Sequence, residues 1–233
     1  MPDQPSPDRR LADRPFVKIC GLTRIVDAEL AHEAGADVLG AILSPGYGRS
    51  ITPALASQFV ERTALPLVAV TVDAPVDDLL RWADEAQASV LQLHGDESPD
   101  HLARLRESRP WTLWKAVRVR SAEQVEQALR DYAEVADGLL LDGWHPDQAG
   151  GAGVTFSWHD IAPLRDRFPS GFQLIAAGGL NPDNVGTAVQ QLRPDGVDVS
   201  SGVESAPGIK DPQRLTAFIA EARRAARALG SEP

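Results

Sequence analysis

Cys20 is the one cysteine among 233 residues, and it closes the β-prone run Phe16-Val17-Lys18-Ile19 just ahead of Gly21. A thiol ordinarily titrates near pKa ~8.5, so nearby positive charge can convert it to a thiolate able to take a proton. A cysteine can equally be a small buried hydrophobe. Its place at a strand end, where parallel α/β proteins gather their chemistry, points to the reactive role. The matching acid is Asp142, far along the chain, at the tip of the apolar run Leu139-Leu140-Leu141. Burial among apolar neighbours predicts a raised carboxyl pKa there, which suits a general acid. A glycine-rich stretch follows Asp142 in place of a helix start, so helix capping does not explain it.

Arg49 stands in the loop Gly46-Tyr47-Gly48-Arg49, where its planar fork could take a substrate carboxylate or simply be solvated. His94 shares one strand face with Gln92 and could hold a substrate or be a satisfied interior histidine. His32, His101, His145 and His159 show no metal-ligand spacing, so no metal is expected. Two short loops suit an anion. Gly178-Gly179 and Ser200-Ser201-Gly202 combine close backbone approach with hydroxyl donors, though either could be a plain tight turn.

These residues need a scaffold that aims them at one place. Apolar runs end in polar or glycine residues eight times: 16–20, 38–43, 67–72, 90–94, 113–119, 138–142, 172–177 and 197–200. Helical segments separate them. Thr52-Pro53, Ser98-Pro99, Ser121 with its following Glu and Gln, and Asn181-Pro182 read as helix starts, and Thr155 or Ser157 as another. Strand–helix alternation with apolar strands predicts one (β/α)8 barrel, the TIM-barrel architecture, over residues 15–230. A doubly wound open sheet is the alternative, but no G-x-G-x-x-G follows the first strand. In a barrel, loops seven and eight are where phosphate sites form, at the C-terminal face. Alternation also puts Lys18 and Asp198 on the inner face of neighbouring strands, and an unpaired buried charge is costly, so the two are expected to pair.

The net charge of −10 argues against nucleic-acid or membrane-surface partners and leaves room for a small phosphorylated ligand. A single cysteine fits a reducing cytoplasm. Residues 1–14, rich in Pro, Asp and Arg, predict a disordered extension without a secretory signal. The chain is expected to act as a monomer or homodimer.

The segments Val17-Lys18-Ile19-Cys20-Gly21-Leu22-Thr23, Leu91-Gln92-Leu93-His94-Gly95, Leu139-Leu140-Leu141-Asp142, Gly178-Gly179-Leu180-Asn181-Pro182-Asp183-Asn184-Val185 and Asp198-Val199-Ser200-Ser201-Gly202-Val203-Glu204 together resemble the phosphoribosylanthranilate isomerase family. The resemblance is collinear and runs from the first strand to Lys210-Asp211. It implies a barrel enzyme of tryptophan biosynthesis that works by an Amadori rearrangement without metal or organic cofactor. It implies Cys20 as general base, Asp142 as general acid, Arg49 on the anthranilate carboxylate, and phosphate on the backbones of 178–179 and 200–203. The stretch from Gly143 to Gly153 is similar to the family's mobile loop after the sixth strand. A histidine-pathway sugar isomerase, or a barrel serving both pathways, would usually carry aspartate at Cys20. A non-catalytic phosphosugar-binding barrel would keep the glycine loops without needing Cys20 and Asp142 together.

Overall fold

The computed structural model describes residues 14–143 and 158–229. Its strands are β1 (Phe16–Ile19), β2 (Val38–Ile42), β3 (Leu67–Thr71), β4 (Val90–Leu93), β5 (Thr112–Val119), β6 (Gly138–Gly143), β7 (Gln173–Ala177) and β8 (Gly196–Val199). They close into one parallel barrel in chain order. The closing pair sets Lys18 opposite Asp198, so the open-sheet alternative does not apply. The helices are α1 (Ile25–Glu33), α2 (Pro53–Thr63), α3 (Val76–Glu85), α4 (Pro99–Ser108), α5 (Ala122–Tyr132), α6 (Trp158–Ile161) with a 3-10 turn (Ala162–Arg167), α7 (Val185–Leu192) and α8 (Pro212–Leu229). None of these is long and apolar enough to cross a membrane.

Period-two alternation sorts each strand into two shells. Val17 and Ile19 of β1 pack outward in the layer shared with the helices, whereas Phe16 and Cys20 face the barrel interior. The interior is filled: Phe16 stacks on Trp114 with ring centroids 5.4 Å apart, plugging the N-terminal end. This leaves room for chemistry only at the opposite end, as the layered packing of such barrels dictates.

Helix starts follow the cap chemistry in two places. Thr52 accepts from the Leu55 N–H at 3.2 Å and Ser98 from the His101 N–H at 3.3 Å, each with proline in the first turn. The start at Ser121 is found, with Ser121 in the cap position and α5 beginning at Ala122, but its side chain makes no cap bond; Gln124 Oε1 instead accepts from the Arg120 N–H at 2.7 Å and holds the entry to α5. One expected start fails. Asn181-Pro182 forms a turn rather than a helix start, and α7 begins at Val185. There the Asn184 and Asn181 side chains accept from the Asn181 and Asp183 N–H groups, both at 2.8 Å, satisfying the backbone locally.

Arg14, assigned to the tail by composition, pairs with Asp37 at 3.1 Å. Residues 1–13, 144–157 and 230–233 lie outside the described residues, and with them most of the expected tail, the stretch after Gly143 expected to be a loop, Thr155, Ser157 and His145. After β8 the chain makes a 3-10 turn (Ser201–Val203) and a small antiparallel hairpin, β9 (Glu204–Ala206) with β10 (Ile209–Lys210), which the sequence reading did not anticipate.

Candidate active site

A cavity of about 340 Å³ opens at the C-terminal ends of the strands. Cys20, His94, Asp142, Gly178, Gly179 and Ser200 to Gly202 all line it, so residues spread over 183 positions meet at one mouth. Ile42, Val70 and Val72 form an apolar flank, with half-exposed Tyr47 beside them. Arg118, which the sequence reading passed over, also lines the cavity, and its backbone lies opposite Asp142 in the strand register. Inward Trp114 and Ala116 precede it at period two, which is the signal that could have found it.

Cys20 follows β1 directly, and its backbone N–H donates to Val199 O at 2.8 Å. Its neighbour Lys18 has a fully buried side chain, with Nζ 2.9 Å from Asp198 Oδ1, the pairing expected from alternation. Gly40 of β2 makes the space. A Cβ there would lie 2.9 Å from Cys20 Sγ and 3.0 Å from Lys18 Nζ. Burial pushes the Cys20 thiol up, helped by Asp198 and opposed by Lys18 and Lys210. Burial pulls Lys18 down, but Asp198 and Cys20 outweigh it and leave the ammonium above its ordinary value. The thiol is therefore less acidic than position alone suggested, and the positive charge beside it is partly spent on Asp198.

Asp142 departs from expectation in one respect. Its side chain is 31% exposed at the open strand tip, so it is not buried among apolar neighbours. Its Oδ2 meets His94 Nε2 at 3.3 Å. On the far side of that ring, the Gln92 amide nitrogen lies 2.9 Å from Nδ1. With the amide nitrogen assigned toward the ring, Nδ1 is the acceptor and the ring proton is assigned to Nε2, facing the carboxylate. His94 is thus neither an isolated core histidine nor free; it orients Asp142. Its own strand end is fixed by Lys115, whose buried Nζ donates to Gly95 O at 2.7 Å and pairs with Glu97 at 3.0 Å.

Arg49 comes close from the β2–α2 loop. A Cβ on Gly21 would sit 2.7 Å from Arg49 Cδ and 2.6 Å from Ser200 Oγ. Its fork is taken up by Glu204, with Nε to Oε1 at 2.8 Å and Nη2 to Oε2 at 2.6 Å. Lys210, also with a fully buried side chain, donates to Glu204 Oε1 and to Ser200 O, both at 3.0 Å. Burial depresses Lys210 despite this partner. Burial works to raise Glu204 as well, yet Arg49 and Lys210 outweigh it and hold the carboxyl below its usual range. Two donors used leave three of Arg49's five N–H groups for a ligand. Glu204 and Lys210 were invisible as site residues because nothing periodic links the hairpin to a loop 155 positions earlier.

The two glycine loops touch. Gly178 has φ +82°, and a Cβ there would fall 2.2 Å from Gly143 N and 2.6 Å from Asp142 Oδ1. A Cβ on Gly202 would fall 1.9 Å from Leu180 O. Only glycine lets the β7 and β8 loops pack this closely beside Asp142. Among the described residues no three His, Cys, Asp or Glu side chains converge as a metal site.

Comparison with known proteins agrees with this geometry. Residues 17–221 match the family model described as N-(5'phosphoribosyl)anthranilate (PRA) isomerase. The N-(5'-phosphoribosyl)anthranilate isomerase of Chromohalobacter salexigens is 43% identical over 210 residues, covering 89% of this chain and 94% of the relative. That of Thiobacillus denitrificans is 42% identical over 212 residues, covering 89% and 97%. The crystal structure of phosphoribosyl anthranilate isomerase from Thermotoga maritima superposes with a TM-score of 0.81 at 38% identity, covering 90% of this chain and 99% of that one. A further isomerase structure, in complex with reduced 1-(o-carboxyphenylamino)-1-deoxyribulose 5-phosphate, gives 0.78 at 35% identity, covering 90% and 99%.

Proposed function

The chain belongs to the N-(5'-phosphoribosyl)anthranilate isomerase family, and we propose that Cys20 and Asp142 are the base and acid of its reaction. It isomerises N-(5-phosphoribosyl)anthranilate to 1-(o-carboxyphenylamino)-1-deoxyribulose 5-phosphate in tryptophan biosynthesis. The observation that carries the residue roles is the order around the barrel rim. β7 and β8 stand between β6, which bears Asp142, and β1, which leads into Cys20. A phosphate held by the Gly178-Gly179 and Ser200 to Gly202 loops therefore sets a ribose between acid and base.

Asp142 gives its proton to the ribose ring oxygen, and the C1′–O bond breaks as the anilino nitrogen forms an iminium ion. Cys20 as thiolate removes the C2′ proton, and the electron pair flows into the iminium to give an enolamine. Tautomerisation of the enolamine yields the ketone. Burial opposes thiolate formation in the free site, but the iminium cation formed beside Cys20 favours it when it is needed. His94 keeps the Asp142 carboxyl aimed inward. Arg49, braced by Glu204, offers its remaining N–H groups to the anthranilate carboxylate. The apolar flank of Ile42, Val70 and Val72 suits the aromatic ring. The proposed compartment is the reducing cytoplasm, where a solitary thiol stays free.

Replacing each proposed group tests the assignment. Cys20→Ser and Asp142→Asn should each lower kcat by two to four orders of magnitude, about the range for a general acid or base, while leaving ligand affinity nearly intact. Turnover close to normal in either variant removes that residue from its role.

A further inference from the structure

Five charged groups form two linked sets next to the chain segment that carries Cys20. Lys18 on β1 pairs with Asp198 on β8, and Glu204 on the hairpin pairs with Lys210 on the same hairpin and with Arg49 on the β2–α2 loop. Gly40, the β2 residue that faces the thiol, carries no side chain to intervene. His94 just beyond β4, Arg118 on β5 and Asp142 on β6 line the same cavity from other directions. Two carboxylates are shared among three cations: Asp198 serves Lys18, and Glu204 serves both Arg49 and Lys210. Positive charges therefore outnumber negative ones here, and the Cys20 sulfur is the remaining group beside Lys18 that can carry negative charge.

We propose that Lys18 is a positioning residue for the base: its ammonium, anchored by Asp198 and bordering the same gap over Gly40 as the Cys20 sulfur, stabilises the thiolate that abstracts the C2′ proton. This rests on the isomerase reading of Cys20 and adds two residues that act through it. The sequence of charges gives Lys18 and Asp198 opposite effects. Lys18 draws the proton off the thiol. Asp198 fixes where Lys18 points, and its own negative charge limits how far Lys18 acts. The fully buried Lys18 is well placed for this, because one Cβ position on Gly40 would touch both its Nζ (3.0 Å) and the Cys20 Sγ (2.9 Å), and a nearby charge in the interior shifts a neighbour's titration by roughly one to three pH units.

The test is the pH dependence of iodoacetamide alkylation of the free chain, followed by intact mass. With one cysteine in the chain the label reports Cys20 alone. Lys18→Met should move the alkylation midpoint up by about one pH unit, slowing labelling about tenfold at neutral pH. Asp198→Asn, which keeps the shape and removes the charge, should move it down by about as much. Should Lys18→Met fail to fold, Lys18→Gln takes its place, since Asp198→Asn also removes a negative charge that acts on the thiol directly. An unchanged midpoint in folded Asp198→Asn, or both midpoints moving the same way, overturns the proposal. Labelling needs no substrate, so its outcome is independent of whether the isomerase roles of Cys20 and Asp142 stand.

Discussion

Glu204→Gln is the most informative single change, because one carboxylate serves two cations. In the native chain Glu204 takes a bidentate pair from Arg49 and a third bond from Lys210. Gln keeps the shape and one acceptor oxygen but removes the charge. Lys210, whose side chain is fully buried, then keeps the Ser200 carbonyl and a neutral amide oxygen but loses its charged partner. Arg49, 28% exposed, is partly rescued by water. Removing one partner of a buried pair costs roughly 3–5 kcal/mol, and the retained amide oxygen puts this case near the lower end, about 3 kcal/mol. For a domain of this size that is a fall in Tm of roughly 6–12 °C.

The pH dependence gives a second, signed check. The Glu204 carboxyl titrates below its usual range in the folded state, since Arg49 and Lys210 outweigh its burial. Its stabilisation is therefore complete above the unfolded carboxyl pKa of about 4.3 and lost as pH falls through the lower folded value. Urea unfolding should show a wide gap between wild type and Glu204→Gln at neutral pH, closing in acid. KM should rise with little change in kcat, because a slack Arg49 weakens substrate and transition state alike. A Tm within 2 °C of wild type, or a gap that persists unchanged in acid, would refute the reasoning.

Two further changes probe the scaffold. Gly40→Ala puts a methyl 2.9 Å from both Cys20 Sγ and Lys18 Cε, so the base must shift. Turnover should fall on the order of a hundredfold in a chain that still folds, and unaltered turnover would mean that the sulfur position is not critical. Thr52→Ala removes the acceptor that caps α2 and should lower stability by about 1 kcal/mol without touching turnover; a loss of activity at constant stability would contradict a purely local cap.

What could be read from the chain alone follows the range of each physical signal. Strand alternation is local, so the eight strands and the inward pair Lys18 and Cys20 were legible. Closure makes the first and last strands neighbours, and from this the Lys18–Asp198 pair followed, 180 positions apart. Asp142 misled because its preceding Leu139-Leu140-Leu141 run is buried while the carboxylate itself has reached the open tip. The Arg49–Glu204–Lys210 cluster had no local trace, since it depends on a hairpin two and three residues long per strand folding back after β8. The Ser121 cap bond and the Asn181 start failed for a similar reason: several side chains nearby could satisfy the same N–H groups, and composition does not choose among them.

The measurement that bears most directly on the central claim is the decay of anthranilate-type fluorescence when freshly made phosphoribosylanthranilate meets the purified chain, run beside Cys20→Ala. The account predicts rapid decay with the native chain and only the spontaneous rate with the variant. Rapid decay that survives loss of the thiol would contradict Cys20 as the base. No decay above the spontaneous rate with the folded native chain would contradict the isomerase activity itself.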